Sequence, residues 1–305
     1  MRKIISLILL VLIPVIVSGK LFSISDYHSN NSLAINPACA GSKEALCATV
    51  FYRTYQTGFE GSPETMTLAI HTPLKQERIG LGFLIMRDVI GITSETSFTG
   101  SYAYRMNLGV GKLAMGIGFG FMISNTSWNK LAALDPDDDL LFENYSSGIL
   151  PDFSSGIYYS TRKFFLGFSV PLFINYEFNA KTEKYIPESD LTENNYFLNT
   201  GYTFDLHPDF KMLPSIMLRY HKASVAQIDI GTHILLKNKV WIGTIYRSKY
   251  VLAGVAQYQV NNQLKVAYSY DFIIGERSEY NFNSHEIMLN YIFNYKTKVS
   301  GPRHF

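Results

Sequence analysis

The sequence predicts an all-β protein: a transmembrane antiparallel β-barrel of about fourteen strands. Three observations carry this. Apolar and polar residues alternate with a period of two from one end of the chain to the other. No long apolar run follows residue 19, so the chain does not cross a membrane with helices. Aromatic residues make up 14% of the chain while Asp, Glu, Lys and Arg reach only 17%, against roughly 25% in ordinary soluble domains. Mean hydropathy is +0.03, a neutral average that two opposed strand faces produce when one is polar and the other apolar.

Residues 1–19 read as a signal peptide. Arg2 and Lys3 form a basic start, Ile4 to Val17 is almost wholly apolar, and Val17-Ser18-Gly19 offers small residues for cleavage. Residues 20–45 form an N-terminal segment before the first strong strand. Asn36-Pro37 sets a turn in it, and Ala38, Ala40 and Gly41 permit close backbone packing. Two readings fit: a plug or rim contact of the barrel, or a simple lead-in to strand one. Cys39 and Cys47 lie eight apart. An exported protein could join them as a disulfide or bury them as free thiols.

The barrel is expected over 46–297, with a tail at 298–305. Strand centres fall near Val50, Leu68, Phe83, Gly100, Gly118, Gly156, Gly167, Thr200, Ile216, Ile230, Gly243, Val255, Tyr268 and Leu289. Alternation assigns the faces. Phe98, Tyr102, Tyr104 and Met106 oppose Glu95, Ser97, Ser101 and Arg105. Leu113, Met115, Ile117, Phe119 and Phe121 oppose Lys112, Ala114, Gly116, Gly118 and Gly120. Val266, Tyr268, Tyr270 and Phe272 oppose Lys265, Ala267, Ser269 and Asp271. Short links such as Lys237-Asn238 and Asn261-Asn262 contrast with long ones near 125–150 and 175–194. That asymmetry suits an outer-membrane barrel better than a secreted sandwich, as do the long strands and the Tyr and Phe near strand ends.

Several functions are excluded or weakened. With residues 1–19 removed, Arg2 and Lys3 are lost and no acid, so basic and acidic residues balance and no bulk field recruits nucleic acid. No Cys or His spacing suits a structural zinc site. Gly116-x-Gly118-x-Gly120 lacks the spacing of a dinucleotide loop and reads as small residues on the inner face of a curved strand. Asp135, Asp137, Asp138 and Asp139 lack the EF-hand pattern and read as a solvated loop. Ser284 and His285 come without a nucleophile elbow, so no enzyme and no cofactor is expected; Glu286 faces inward as a structural polar contact. Glu95, Arg105, Lys112, Asp229, Lys265, Asp271 and Glu286 are the predicted inner-face charges. They suit either a lined channel or pairing across a plugged lumen.

A family resemblance runs through the same residues. Asn36-Pro37-Ala38-Cys39-Ala40-Gly41 resembles the Asn-Pro-Ala-Tyr-Ala-Gly signature of the PorP/SprF family of Bacteroidetes, with Cys39 in place of the usual Tyr. Tyr52-Arg53, Gly58-Phe59-Glu60-Gly61-Ser62-Pro63, His71-Thr72-Pro73-Leu74 and Ser101-Tyr102-Ala103-Tyr104-Arg105 continue it. Trp128-Asn129-Lys130-Leu131, Leu166-Gly167-Phe168-Ser169-Val170-Pro171 and Ser284-His285-Glu286-Ile287 complete it. The resemblance implies an outer-membrane barrel associated with type IX secretion and gliding. It also implies partners: components of that machinery and a large secreted surface adhesin that the barrel docks or anchors. A channel for small or hydrophobic solutes is the competing function. The resemblance marks Asn36, Pro37, Ala38, Ala40, Gly41, Gly58, Phe59, Glu60, Gly61, His285 and Glu286 as motif residues without assigning them a role.

Overall fold

A computed structural model describes residues 32–55, 61–74, 78–128, 145–179, 184–188, 191–222, 224–248, 250–274 and 283–293. The strands run β1 (Leu46–Thr54), β2 (Glu64–Leu74), β3 (Ile79–Ile90), β4 (Thr93–Leu108), β5 (Gly111–Thr126) and β6 (Tyr145–Ser146). They continue with β7 (Leu150–Ser160), β8 (Phe164–Val170), β9 (Asn175–Asn179), β10 (Lys184–Glu188), β11 (Tyr196–Tyr202) and β12 (Phe204–His207). The series closes with β13 (Phe210–His221), β14 (Ser224–Leu236), β15 (Val240–Arg247), β16 (Val251–Gln259), β17 (Leu264–Ile273) and β18 (Ser284–Phe293).

Fourteen of these make one closed antiparallel barrel. Each pairs with its neighbour in the chain, β11 pairs with β13, and β1 pairs with β18 in the register Leu46↔Phe293 to Thr54↔His285. Every predicted strand centre lies inside one of the fourteen. Closure leaves no unpaired edge, the condition for crossing hydrocarbon with strands. β12 prolongs β11 beyond Thr203, β6 adds to the end of β5, and β9 and β10 form a separate hairpin.

The two ends differ. At one, the links 75–78, 109–110, 161–163, 237–239 and 260–263 are short. Lys237 and Asn238 both take positive φ, 48° and 54°, as a two-residue hairpin turn of the primed type requires. At the other end the links 55–63, 127–149, 171–195 and 274–283 are longer, interspersed with the short links 91–92, 222–223 and 248–250. Short turns face the periplasm and longer loops face outward in barrels of this type.

The outer face is apolar at mid-strand, where Ile117 and Phe119 are 65% and 60% exposed. Aromatic rings band both ends. Tyr202 packs on Phe204 at 4.6 Å and Tyr291 on Phe293 at 4.8 Å at the turn end. Tyr196 meets Tyr220 at 6.5 Å and Tyr270 meets His285 at 4.9 Å at the loop end. Such rings are at home at a membrane–water boundary, with an apolar body and a polar tip.

Candidate functional site in the lumen

The inner faces do not enclose an open pore. Residues 32–45 lie within the barrel wall, and Leu33, Ile35, Asn36, Ala38, Cys39 and Ala40 are all buried there. A buried irregular segment must satisfy its own backbone groups. This one does so in two tight turns. Ser32–Ile35 forms a short α-helical turn, and Pro37–Cys39 a 3-10 turn with Pro at its first position. Asn36 caps the second turn: its Oδ1 accepts from the Ala38 N–H at 2.9 Å. The Asn36 N–H bonds to the Ser32 carbonyl at 2.8 Å, and the Ala40 N–H to the Pro37 carbonyl at 3.1 Å.

Side chains tie the turns to the wall. Asn36 Nδ2 donates to the carbonyls of Ile157 in β7 at 3.0 Å and Phe168 in β8 at 3.3 Å. Ser169 Oγ donates to the Ile35 carbonyl at 2.8 Å. The Gly41 N–H donates to His71 Nδ1 at 3.0 Å, which fixes that ring nitrogen as the acceptor. Arg105 donates to the Ala40 carbonyl, and Lys112 pairs with Glu44 at 3.0 Å. Burial pushes the Cys39 thiol up to about 12, so it stays protonated. Cys39 and Cys47 are both free and buried.

Glycines on the wall make the room. A Cβ on Gly116 would strike the backbone of Pro37 and Ala38, one on Gly80 the Ala40 carbonyl, and one on Gly156 the Asn36 side chain. Strand curvature is therefore not the reason for glycine at position 116; close approach of a second backbone is. Gly41 itself takes φ +68°, and a Cβ there would meet the Pro73 nitrogen and Thr72 oxygen at 2.8 Å.

The opposite wall supplies an apolar layer and a charged one. Ala38 and Cys39 reach across to share a core with Leu213, Leu235 and Trp241 as well as Tyr158 and Phe165. Phe51, Ile245, Val255 and Met288 form a second buried cluster. Nearer the loop end, Arg53 of β1 pairs with Glu286 of β18 at 2.7 Å and with Asp271 of β17. Arg247 of β15 bonds to Asp229 at 3.1 Å and lies 3.6 Å from Asp271. Gln227 donates to Asp229 at 2.9 Å, and Arg219 stands over the Phe197 ring. Arg53, Asp229, Asp271 and Glu286 are no more than 3% exposed, so this belt is screened from bulk solvent and its charges meet one another directly.

The predicted residues distribute as follows. Asn36, Pro37, Ala38, Ala40 and Gly41 come together inside the barrel. Asp229, Asp271 and Glu286 meet in the charged belt, while Arg105 and Lys112 hold the N-terminal segment. His285 lies on the outer face, where its Nδ1 and the Tyr268 hydroxyl are 2.7 Å apart. Gly61 takes φ +76° in the link after β1. Gly58, Phe59, Glu60, the run at Asp135–Asp139, residues 1–31 and the tail lie outside the described residues. Arg53, Arg219 and Arg247 complete the charge balance and were missed as inner-face residues; strand parity with Phe51, Met217 and Ile245 would have found them. Among the described residues no group of three or more His, Cys, Asp or Glu side chains is placed to hold a metal ion.

Comparison with known proteins agrees with this architecture. The monoaromatic hydrocarbon channel CymD is 12% identical with a TM-score of 0.52, over 92% of this chain and 96% of that one. The toluene transporter TbuX of Ralstonia pickettii is 10% identical with a TM-score of 0.52, over 91% and 96%. The toluene transporter TodX of P. putida is 8% identical with a TM-score of 0.51, over 92% and 96%. At these identities the likeness is one of fold. No curated protein matches the chain in sequence. The family model of the type IX secretion system membrane protein PorP/SprF matches residues 17–291, and the chain, an outer-membrane β-barrel, belongs to that family.

Proposed function

We propose that the barrel is a non-enzymatic partner of the type IX machinery that docks or anchors a secreted surface adhesin. The observation that supports this best is the filled lumen. The N-terminal segment, the apolar layer and the charged belt occupy the cross-section with side chains only a few per cent exposed. A solute path needs a hydrated or transiently open lumen, and buried ion pairs with direct partners favour neither. The working surfaces are then the two ends of the barrel. In this reading the motif Asn36–Gly41 acts as a built-in plug that stiffens the wall from which the loops project.

Purification of the tagged protein from outer membranes tests the reading. A very large surface protein should co-purify, and planar bilayers holding the purified barrel should show no solute-dependent conductance. Conductance that toluene or a small sugar blocks, with no co-purifying partner, would replace the docking role with a channel.

A further inference from the structure

The outward face of the wall is not uniform. Among the described residues, the Asp, Glu, Lys, Arg and His side chains of the fourteen barrel strands point inward with three exceptions: Glu64 of β2, Arg87 of β3 and His285 of β18. Strand parity sets their direction, because Thr65, Leu84 and Glu286, each an odd number of residues away on the same strand, are buried within the barrel. All three lie within four residues of the loop end, on the continuous stretch of wall β3-β2-β1-β18. At the same end of the far wall the outward side chains are Phe153, Phe168, Tyr220, Tyr246 and Leu252, with no charge among them.

Register brings the three into one band. Thr54 of β1, also outward, is the cross-strand partner of both His285 and Glu64. Arg87 pairs with Met66, diagonal to Glu64, and on its other side with Thr96 of β4. The Tyr268 hydroxyl lies 2.7 Å from His285 Nδ1, which leaves the other ring nitrogen for a ligand, and Tyr270 meets the ring edge-on at 4.9 Å. The Tyr52 hydroxyl turns to the Glu64 carboxylate. His285 and Arg87 are three strand spacings apart, about 14 Å, which is within the reach of a disaccharide headgroup.

A charge on the lipid face is costly at mid-membrane and cheap near the headgroups, where these residues sit. What covers the outward wall at the loop end of an outer-membrane barrel is the outer leaflet. An arginine there meets lipid phosphate, to which a guanidinium offers paired donors. His285 adds a second polar contact. Glu64 decides the class of lipid. A carboxylate repels a bare phosphate and is matched only by a headgroup that also carries hydroxyl or amide donors. A phosphorylated sugar carries both. We propose that the band of Arg87, Glu64, Thr54 and His285 is a binding site for the phosphorylated sugar headgroup of an outer-leaflet glycolipid. Arg87 and His285 take the phosphate, and Glu64, Thr54 and the flanking tyrosines take the sugar. The site lies outside the lumen and is independent of the docking reading.

The probes are lipid A, a phosphorylated disaccharide lipid, and dioleoyl phosphatidate, which carries phosphate alone. Each is mixed at equal concentration with the purified, delipidated barrel in detergent, and native mass spectrometry reads the affinity from the fraction that carries one lipid. The native barrel should retain lipid A in preference to phosphatidate. Arg87→Gln with His285→Gln should weaken lipid A binding by roughly tenfold or more. Tyr246→Gln, outward on the far wall, should bind like the native protein. All variants should keep a heat-modifiable band on gels, which separates loss of the site from loss of the barrel. The proposal is overturned if the native barrel does not retain lipid A. It is equally overturned if phosphatidate is retained as well and lost in step with lipid A, which would make the band a contact for any lipid phosphate. It also falls if the Gln pair holds lipid A as tightly as native; a protein that then fails to co-purify with the Gln pair would make the band a protein contact instead.

Discussion

Asn36→Ala should release the N-terminal segment from the barrel wall without unfolding the barrel. The side chain makes three buried or part-buried hydrogen bonds, at 2.9, 3.0 and 3.3 Å. The bonds to the Ile157 and Phe168 carbonyls add to strand groups, so their loss is worth at most ~1 kcal/mol each. The Ala38 N–H is different: it is left buried without an acceptor, at a cost of ~1–3 kcal/mol. Together the change lowers the docking free energy by ~1–5 kcal/mol, which raises the open population by roughly 5- to 4,000-fold at 1.4 kcal/mol per tenfold. Cys39 reports it directly. In the docked state the thiol is 1% exposed and burial holds it protonated; in the open state it behaves as an ordinary thiol of pKa ~8.5. The rate of maleimide labelling at Cys39, read by peptide mass so that Cys47 is resolved, should rise by that factor. An unchanged Cys39 rate in a variant that still runs as a folded, heat-modifiable barrel would refute the reasoning.

Three further outcomes follow from the same geometry. Arg53→Met leaves Glu286 without its guanidinium and Asp271 with Arg247 alone, and should lower the guanidinium unfolding free energy by ~3 kcal/mol. Gly116→Leu should match Asn36→Ala in Cys39 labelling, because its side chain needs the space of Pro37 and Ala38; slow labelling would show that the wall yields instead. Ile117→Arg, at the centre of the outward face, should destabilise the barrel in lipid by ~2–4 kcal/mol, while Val110→Arg in the exposed turn should be near neutral.

The barrel was legible because a period of two is a local property. In Leu264–Ile273 the chain itself states that Lys265, Ala267, Ser269 and Asp271 share a face, and no distant contact is needed to read it. The N-terminal segment was harder. Asn36-Pro37 announces a turn, but nothing local says that Asn36 will meet carbonyls of β7 and β8 more than a hundred residues away. The glycine at 116 shows the same limit. Its place on the inner face was readable; that it faces the backbone of Ala38 was not.

By itself the sequence determined the strands, their number, which face of each points inward and which compartment the chain is built for, because alternation, turn residues and aromatic content are written residue by residue. The tertiary structure alone decided that the lumen is full. Closing the wall through β1 and β18 brings Arg53 beside Glu286, far apart in the chain, and encloses residues 32–45. Once enclosed, a polar side chain must find a partner or carry the cost of burial, and that condition sets Arg53 against Glu286 and Arg247 against Asp229 inside the wall.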